Sequence, residues 1–210
     1  MTSKKVKPDL DTNTEAKIKN AARAVFHKKG FAATRTRDIA EEAGINLALL
    51  NYYFRSKEKL FNIIMLETFS GFIKSIVEVF NDETTTLENK VETIASAYID
   101  LLTLEPQIPL FIMSELKRNP DHLLKTINVK NVLANSSFAR QYQQGVKAGK
   151  IAPVHFLHFL MNLLGLTIFP FIASPMIQAI GDLKDGQFNK LMAERKLMIP
   201  RWAKAMLKAK

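Results

Sequence analysis

Residues 36–57 read TRDIAEEAGINLALLNYYFRSK, and the fold follows from where this stretch breaks. Ile39, Ala40 and Ala43 fall at i, i+1 and i+4, one face of a short helix. Gly44 follows at the point where a helix end favours left-handed backbone. Asn46 then stands as the N-cap of a second short helix, whose Leu47, Leu50 and Phe54 recur at i, i+3 and i+7. Two short helices joined by a tight turn containing glycine form a helix-turn-helix, and the second helix of that unit enters the major groove of DNA.

Upstream, the sequence supplies a supporting helix. It is expected from about Asp11 or Thr12 to Lys29, with Thr12 or Thr14 as cap and Glu15 in the first turn. Ile18, Ala21, Ala22, Val25 and Phe26 form its apolar stripe. Gly30 ends it behind Lys28 and Lys29, and Phe31 turns back into a three-helix core. Thr34 or Thr36 starts the next helix, with Asp38 in its first turn. Arg35 and Arg37 sit beside that N-terminus, where amides and charge together hold a phosphate, and Arg37 is the favoured contact. Residues 1–12, with Lys4, Lys5 and Lys7, read either as a solvated tail or as a basic arm reaching phosphates or the minor groove.

Downstream, Asn46, Leu47 and Ala48 lie at the N-terminal end of the second short helix, where side chains reach base edges. Asparagine bonds adenine, and Leu and Ala touch a thymine methyl. Asn51, Tyr52 and Tyr53 follow. The tyrosine hydroxyls suit phosphate, although Tyr53, beside Phe54, also reads as a core aromatic with a wet tip. Ser56 caps a fourth helix and Lys57 stands in its first turn, where the helix dipole disfavours a cation unless an anion is bound. The DNA-facing set is therefore Arg35, Thr36, Arg37, Asn46, Leu47, Ala48, Asn51, Tyr52, Tyr53 and Lys57.

The run Ala21, Phe26, Gly30-Phe31, Thr34, Asp38-Ile39-Ala40, Ala43-Gly44-Ile45, Leu50, Tyr53-Phe54, Ser56-Lys57 and Leu60 resembles the N-terminal domain of the TetR/AcrR family of bacterial transcriptional repressors. The resemblance covers roughly the first 60 residues in one register. It implies an all-helical homodimer with a three-helix DNA-binding head. A larger helical body would bind a small-molecule inducer and supply the dimer contact. Lys57 resembles the family's phosphate-contacting lysine. The family usually has tyrosine where this chain has Asn51, and Ser or Thr where it has Asn46. Both differences keep short-range hydrogen bonding and alter only the base preference.

Charge distribution agrees. The chain has 210 residues, 47% of them apolar, and a formal net charge of +10. Residues 1–62 carry thirteen Lys/Arg against seven Asp/Glu, more than half the excess in under a third of the chain. That is the pattern of a DNA-reading head on a more neutral body, giving expected domains of 1–62 and 63–210. Cysteine is absent, so disulfides, thiol catalysis and thiolate metal sites are excluded, in keeping with a reducing cytoplasm. No apolar run follows the N-terminal lysines, which argues against a secretory signal.

In the body, helices are expected at Ser56–Phe80, from Thr85 or Thr86 to Thr103, at Ile108–Lys117, at about Val129–Ala148, and at Gln187–Ile199 before a final turn from Pro200. Asn119-Pro120 marks a turn. Residues 153–180 are the most apolar stretch. A membrane span is opposed by His158, Asn162, Gly165 and Pro170 within it, so the stretch reads as a buried or interfacial helix that Pro170 kinks or interrupts, with Ser174-Pro175 starting another. Phe156, Leu160, Leu163, Leu164, Leu191 and Met198 are the candidate dimer residues, with closure of the monomer core as the competing reading. Tyr98, Phe111, Met113, Glu115, Phe138, Tyr142, His155, Phe159 and Asn162 are candidates for an inducer pocket. The many Phe and Met residues favour an apolar ligand.

No catalytic constellation, cofactor motif or Gly-rich phosphate loop is present, and of His27, His122, His155 and His158 only the last pair has metal-ligand spacing, without a nearby carboxylate. The expected function is a dimeric repressor on a palindromic operator, released by a small apolar inducer. The alternative is a DNA-binding regulator without ligand control.

Overall fold

The computed structural model describes residues 9–118, 120–121, 133, 135–184 and 186–208. The basic arm with Lys4, Lys5 and Lys7, His122, Asn119 of the expected turn, and the expected helix start at Val129 lie outside them. The described residues form ten helices and no strand, as expected for an all-α protein. They fall into two compact units, Met1–Thr68 and Phe69–Lys210.

The first unit holds α1 (Asp9–Ala33), α2 (Thr36–Glu42), α3 (Leu47–Phe54) and the start of α4 (Lys57–Asn81). Its core is the stripe read from the sequence: Ile18, Ala22, Ile39, Ala40, Ala43, Leu50, Phe54 and Leu60 are all buried. Phe61 packs edge-on to Phe26 at 5.3 Å and lies 4.5 Å from Phe31. Two ion pairs from α1 to Glu67, from Lys19 at 2.8 Å and Arg23 at 3.5 Å, run beside it. α1 starts earlier than expected, so Thr12 and Thr14 lie inside it rather than capping it. Its helical course breaks at Gly30, whose φ of 74° only glycine adopts without strain.

In the second unit, α5 (Leu87–Leu104) packs against α7 (Ser137–Lys147), α8 (Phe156–Ile172) and α10 (Gln187–Lys208). α6 (Ile108–Arg118) and α9 (Ser174–Ile180) complete the set. Thr86 caps α5 by accepting from the Asn89 amide, one of the two positions expected. Lys90 is buried, and its ammonium donates to the Thr85 carbonyl and hydroxyl at 2.8 and 3.0 Å. Burial lowers its pKa. Phe80 stacks on Phe138 at 5.1 Å, and Phe156, Phe159 and Tyr142 surround that pair.

Four boundaries differ from expectation. Ser136, not a residue near 129, caps α7 by accepting from the Ala139 amide. α9 is entered from Ala173 rather than capped by Ser174. α10 continues through Pro200 instead of restarting there. Pro170 neither ends nor interrupts α8, and the reason is chemical. Proline has no N–H, so the Leu166 carbonyl loses its i+4 donor. Arg195 Nη2 supplies one from α10 at 2.7 Å, and its guanidinium lies 5.1 Å from the Trp202 ring. Thr167 donates back to the Leu163 and Leu164 carbonyls at 2.9 and 3.1 Å in the same turn.

Among the described residues no single helix is long and apolar enough to cross a membrane, and α8 joined to α9 reaches that length only across a 73° bend.

Arg195→Met should destabilise the chain by about 1–3 kcal/mol, the cost of a part-buried carbonyl left without a donor. The same change in a Pro170→Ala background, where position 170 again has an N–H, should cost about 1 kcal/mol less. Urea unfolding of the four proteins measures the coupling; additive losses would refute this account.

Candidate nucleic-acid interface and apolar cavity

The helix-turn-helix is built by three local devices. The α2 N-terminus begins at Arg35, whose amide donates to Asp38 Oδ2 at 2.9 Å. Thr36 starts α2, one of the two positions expected, while the buried Thr34 hydroxyl turns back to the Gly30 carbonyl at 2.7 Å. The turn between the helices places Gly44 at φ 59°, the left-handed region anticipated there. Asn46 caps α3, its Oδ1 accepting from the Leu49 amide at 2.8 Å.

α3 then has two faces. Leu50 and Phe54 are fully buried, while Asn46, Ala48, Asn51 and Tyr52 are exposed, Tyr52 by 65%. Leu47 and Tyr53 are half-buried, and Tyr53 lies 5.5 Å from the Tyr52 ring and 6.3 Å from Phe54. Because the cap uses Oδ1, what Asn46 offers outward is its Nδ2 donors. Arg35 and Arg37 are exposed at the start of α2, with Thr36 half-buried between them.

Lys57 is placed differently from the rest. Its ammonium donates to the Phe31 and Thr34 carbonyls, both at 2.9 Å, and sits 4.4 Å from the centre of the Phe31 ring. Two of its three protons are thus spent on the chain segment that follows Gly30. These carbonyls balance the cation at the α4 N-terminus. Ser56 caps α4 as expected, accepting from the Lys59 amide at 3.1 Å.

The second unit contains a cavity of about 340 Å³. α4 contributes Phe69, Ile73, Ile76 and Val77; α5 contributes Tyr98; α8 contributes Leu160, Leu163, Leu164, Ile168 and Ile172. Of the expected pocket residues, Tyr98 and Met113 line it. Phe111 is buried elsewhere, and Phe138, Tyr142 and Phe159 belong to the aromatic cluster. Glu115 is paired with Arg118, and Asn162 is exposed, its amide 3.4 Å from Met206 Sδ. His155 is an exposed N-cap for α8, accepting from the Leu157 amide at 3.2 Å. Leu160 and Leu163, expected at a dimer contact, are buried in the protomer and wall the cavity instead, as does the half-buried Leu164; Phe156 joins the aromatic cluster. Leu191 and Met198 are exposed on α10. Among the described residues no group of three or more His, Cys, Asp or Glu could hold a metal ion.

Residues 18–64 match the family model of bacterial regulatory proteins of the tetR family. YttP, a probable HTH-type transcriptional regulator of Bacillus subtilis, is 22% identical over 174 residues, 81% of this chain and 83% of YttP. In fold, the chain is similar to a TetR transcription regulator from Haloarcula marismortui (TM-score 0.65, 18% identity, 93% of this chain and 99% of the other). It is also similar to the regulator FadR of Bacillus subtilis, solved in complex with stearoyl-CoA (TM-score 0.54, 19% identity, 88% and 96%). Residues 18–64, which hold the helix-turn-helix, are thus similar to the DNA-binding domain of tetR-family regulators, and most of the chain is similar to an HTH-type transcriptional regulator.

Lys57→Met keeps the aliphatic stem but strands two carbonyls, and should lower unfolding stability by about 1–3 kcal/mol. Asn46→Ala should cost about 1 kcal/mol through loss of the cap. The Arg35 amide, and then Lys29 at 3.1 Å, hold the Asp38 carboxyl below its ordinary value. Its folded pKa is depressed, so its contribution is present above the ordinary aspartate pKa and lost as pH falls through the lower folded value. Asp38→Asn should therefore flatten the acid limb of the stability–pH curve, which thermal melts between pH 2 and 5 test.

Proposed function

We propose that the protein is a cytoplasmic repressor that binds a palindromic operator as a twofold dimer and is released by a small apolar inducer. The observation that carries the DNA reading is the exposed row of Ala48, Asn51 and Tyr52 on α3 with its cap Asn46, on a helix whose other face is locked by Leu50 and Phe54. In this reading Asn46, Leu47 and Ala48 meet base edges, and Asn51 reads bases further along the groove. Tyr52 and Tyr53 donate to phosphate beside Arg35, Thr36 and Arg37. Lys57 retains one proton for a phosphate.

Dimerisation is supported by an exposed apolar surface on α8 and α10. It comprises Leu157, Met161 and Phe169 with Leu191, Leu197 and Met198. This uses the helices expected from the sequence but the opposite face of α8. A twofold pair presents two recognition helices about 34 Å apart, one DNA turn. The inducer reading is supported by the cavity, and the stearoyl-CoA bound to FadR is a ligand with a long hydrocarbon part. α4 supplies the coupling, since it starts in the DNA-binding unit and its second half walls the cavity. The inducer binds better to body conformations in which the two heads are wrongly spaced.

Selection of bound duplexes from a random pool should return an inverted repeat with half-sites one turn apart. Asn51→Ala should relax base preference at one position per half-site by about 1–3 kcal/mol. Arg37→Ala should weaken binding to all sequences and reduce the salt slope by about 0.9 per protomer. Binding indifferent to salt, or a single asymmetric site, would sink the proposal.

A further inference from the structure

The second unit contains two buried tyrosines with different fates. The Tyr142 hydroxyl donates to the Val154 carbonyl at 3.0 Å. Tyr98, only 8% exposed, has its ring held edge-on by Phe72 at 4.6 Å, yet its hydroxyl bonds to no group among the described residues. A phenol hydroxyl at a cavity wall with no protein partner keeps both its donor and its acceptor capacity for a ligand. Among the described residues that line the cavity, Tyr98 alone has a polar side chain.

We propose that Tyr98 is the specificity-determining residue of this cavity, and that its ligand combines a hydrocarbon body with one uncharged oxygen function, a hydroxyl or carbonyl, hydrogen-bonded by the Tyr98 hydroxyl. The proposal rests on the effector reading above and narrows it to a chemical class. Among the described lining residues an ionised group would meet only hydrocarbon and one neutral phenol, and burying an unpaired charge is far costlier than burying a bonded hydroxyl. Burial pushes the Tyr98 pKa up to about 12, so at neutral pH the phenol keeps its proton and both donates and accepts. It can therefore serve an alcohol or a carbonyl. On α5, Asp100 is paired with Lys196, and Lys90 is bonded to Thr85. Met113, Leu116 and Ile172 line the cavity and are themselves exposed, which marks its mouth and lets a larger molecule leave a polar remainder outside.

The test uses the full chain and probes of one chain length: decane, 1-decanol, methyl decanoate, decanoate and decylammonium, followed by thermal shift and calorimetry at pH 7. Decanol and methyl decanoate should raise Tm above the effect of decane, and the two ions should leave it unchanged. Tyr98→Phe should still bind decane but lose about 2–10-fold in affinity for decanol and the ester, the worth of one neutral hydrogen bond. Decanoate binding as tightly as decanol would overturn the proposal while leaving an effector cavity in place. An unchanged decanol-to-decane ratio in Tyr98→Phe would remove Tyr98 from the specificity role. A protein that responds to none of the five would fail the effector reading itself, and this proposal with it.

Discussion

The ammonium of Lys57 rests on the carbonyl oxygens of Phe31 and Thr34, and the DNA-binding unit depends on that contact. The carbonyls belong to the segment where α1 breaks at Gly30 and turns toward α2. At such a point the backbone has lost its helical donors and carries negative partial charge. A single cation from the first turn of α4 answers both carbonyls and lies against the Phe31 ring, while Phe61, one turn further along α4, packs beside the same ring. The start of α2, with its two arginines, is thereby fixed relative to α4. A lysine at a helix N-terminus is unfavourable on local electrostatics alone, and becomes favourable because it serves the end of another helix.

The second unit uses the same logic in its least regular helix. α8 carries a proline in its interior and remains a helix because its irregular turn is hydrogen-bonded from outside and from within. Arg195 reaches the Leu166 carbonyl, and Thr167 returns to Leu163 and Leu164. That turn matters for the cavity, since Leu163, Leu164 and Ile168 are part of its wall. Arg195 is a costly choice of donor, being partly desolvated with Nε left unbonded and its pKa lowered by burial. Stacking near Trp202 offsets part of that cost.

What could be read from the sequence was local. Gly44, the Asn46 cap, the Ser56 cap and the buried stripe on α1 to α3 follow from interactions within a few residues. The pattern of Ile39, Ala40 and Ala43 is enough to orient a helix. What could not be read depends on distant partners. Lys57 meets carbonyls 23 and 26 residues away, and Arg195 a carbonyl 29 residues away. The aromatic residues Phe138, Tyr142 and Phe159 were plausible as pocket lining but stack on one another, because apolar patterning does not separate a filled core from a cavity wall. The residues that do wall the cavity, such as Ile73 and Val77 on α4, carry the same signal as core. His155 looked functional by residue type, yet its ring nitrogen serves the first turn of α8.

The pairing of Pro170 with Arg195 also bears on how this chain can have changed over time. A proline at 170 without a donor at 195 would leave the part-buried Leu166 carbonyl unbonded, so the proline costs less where the arginine, or an equivalent donor, is already present. Once both are in place, loss of Arg195 alone meets a barrier that its arrival did not. The two positions form a ratchet, and drift in the surrounding helices is confined to paths that keep them together.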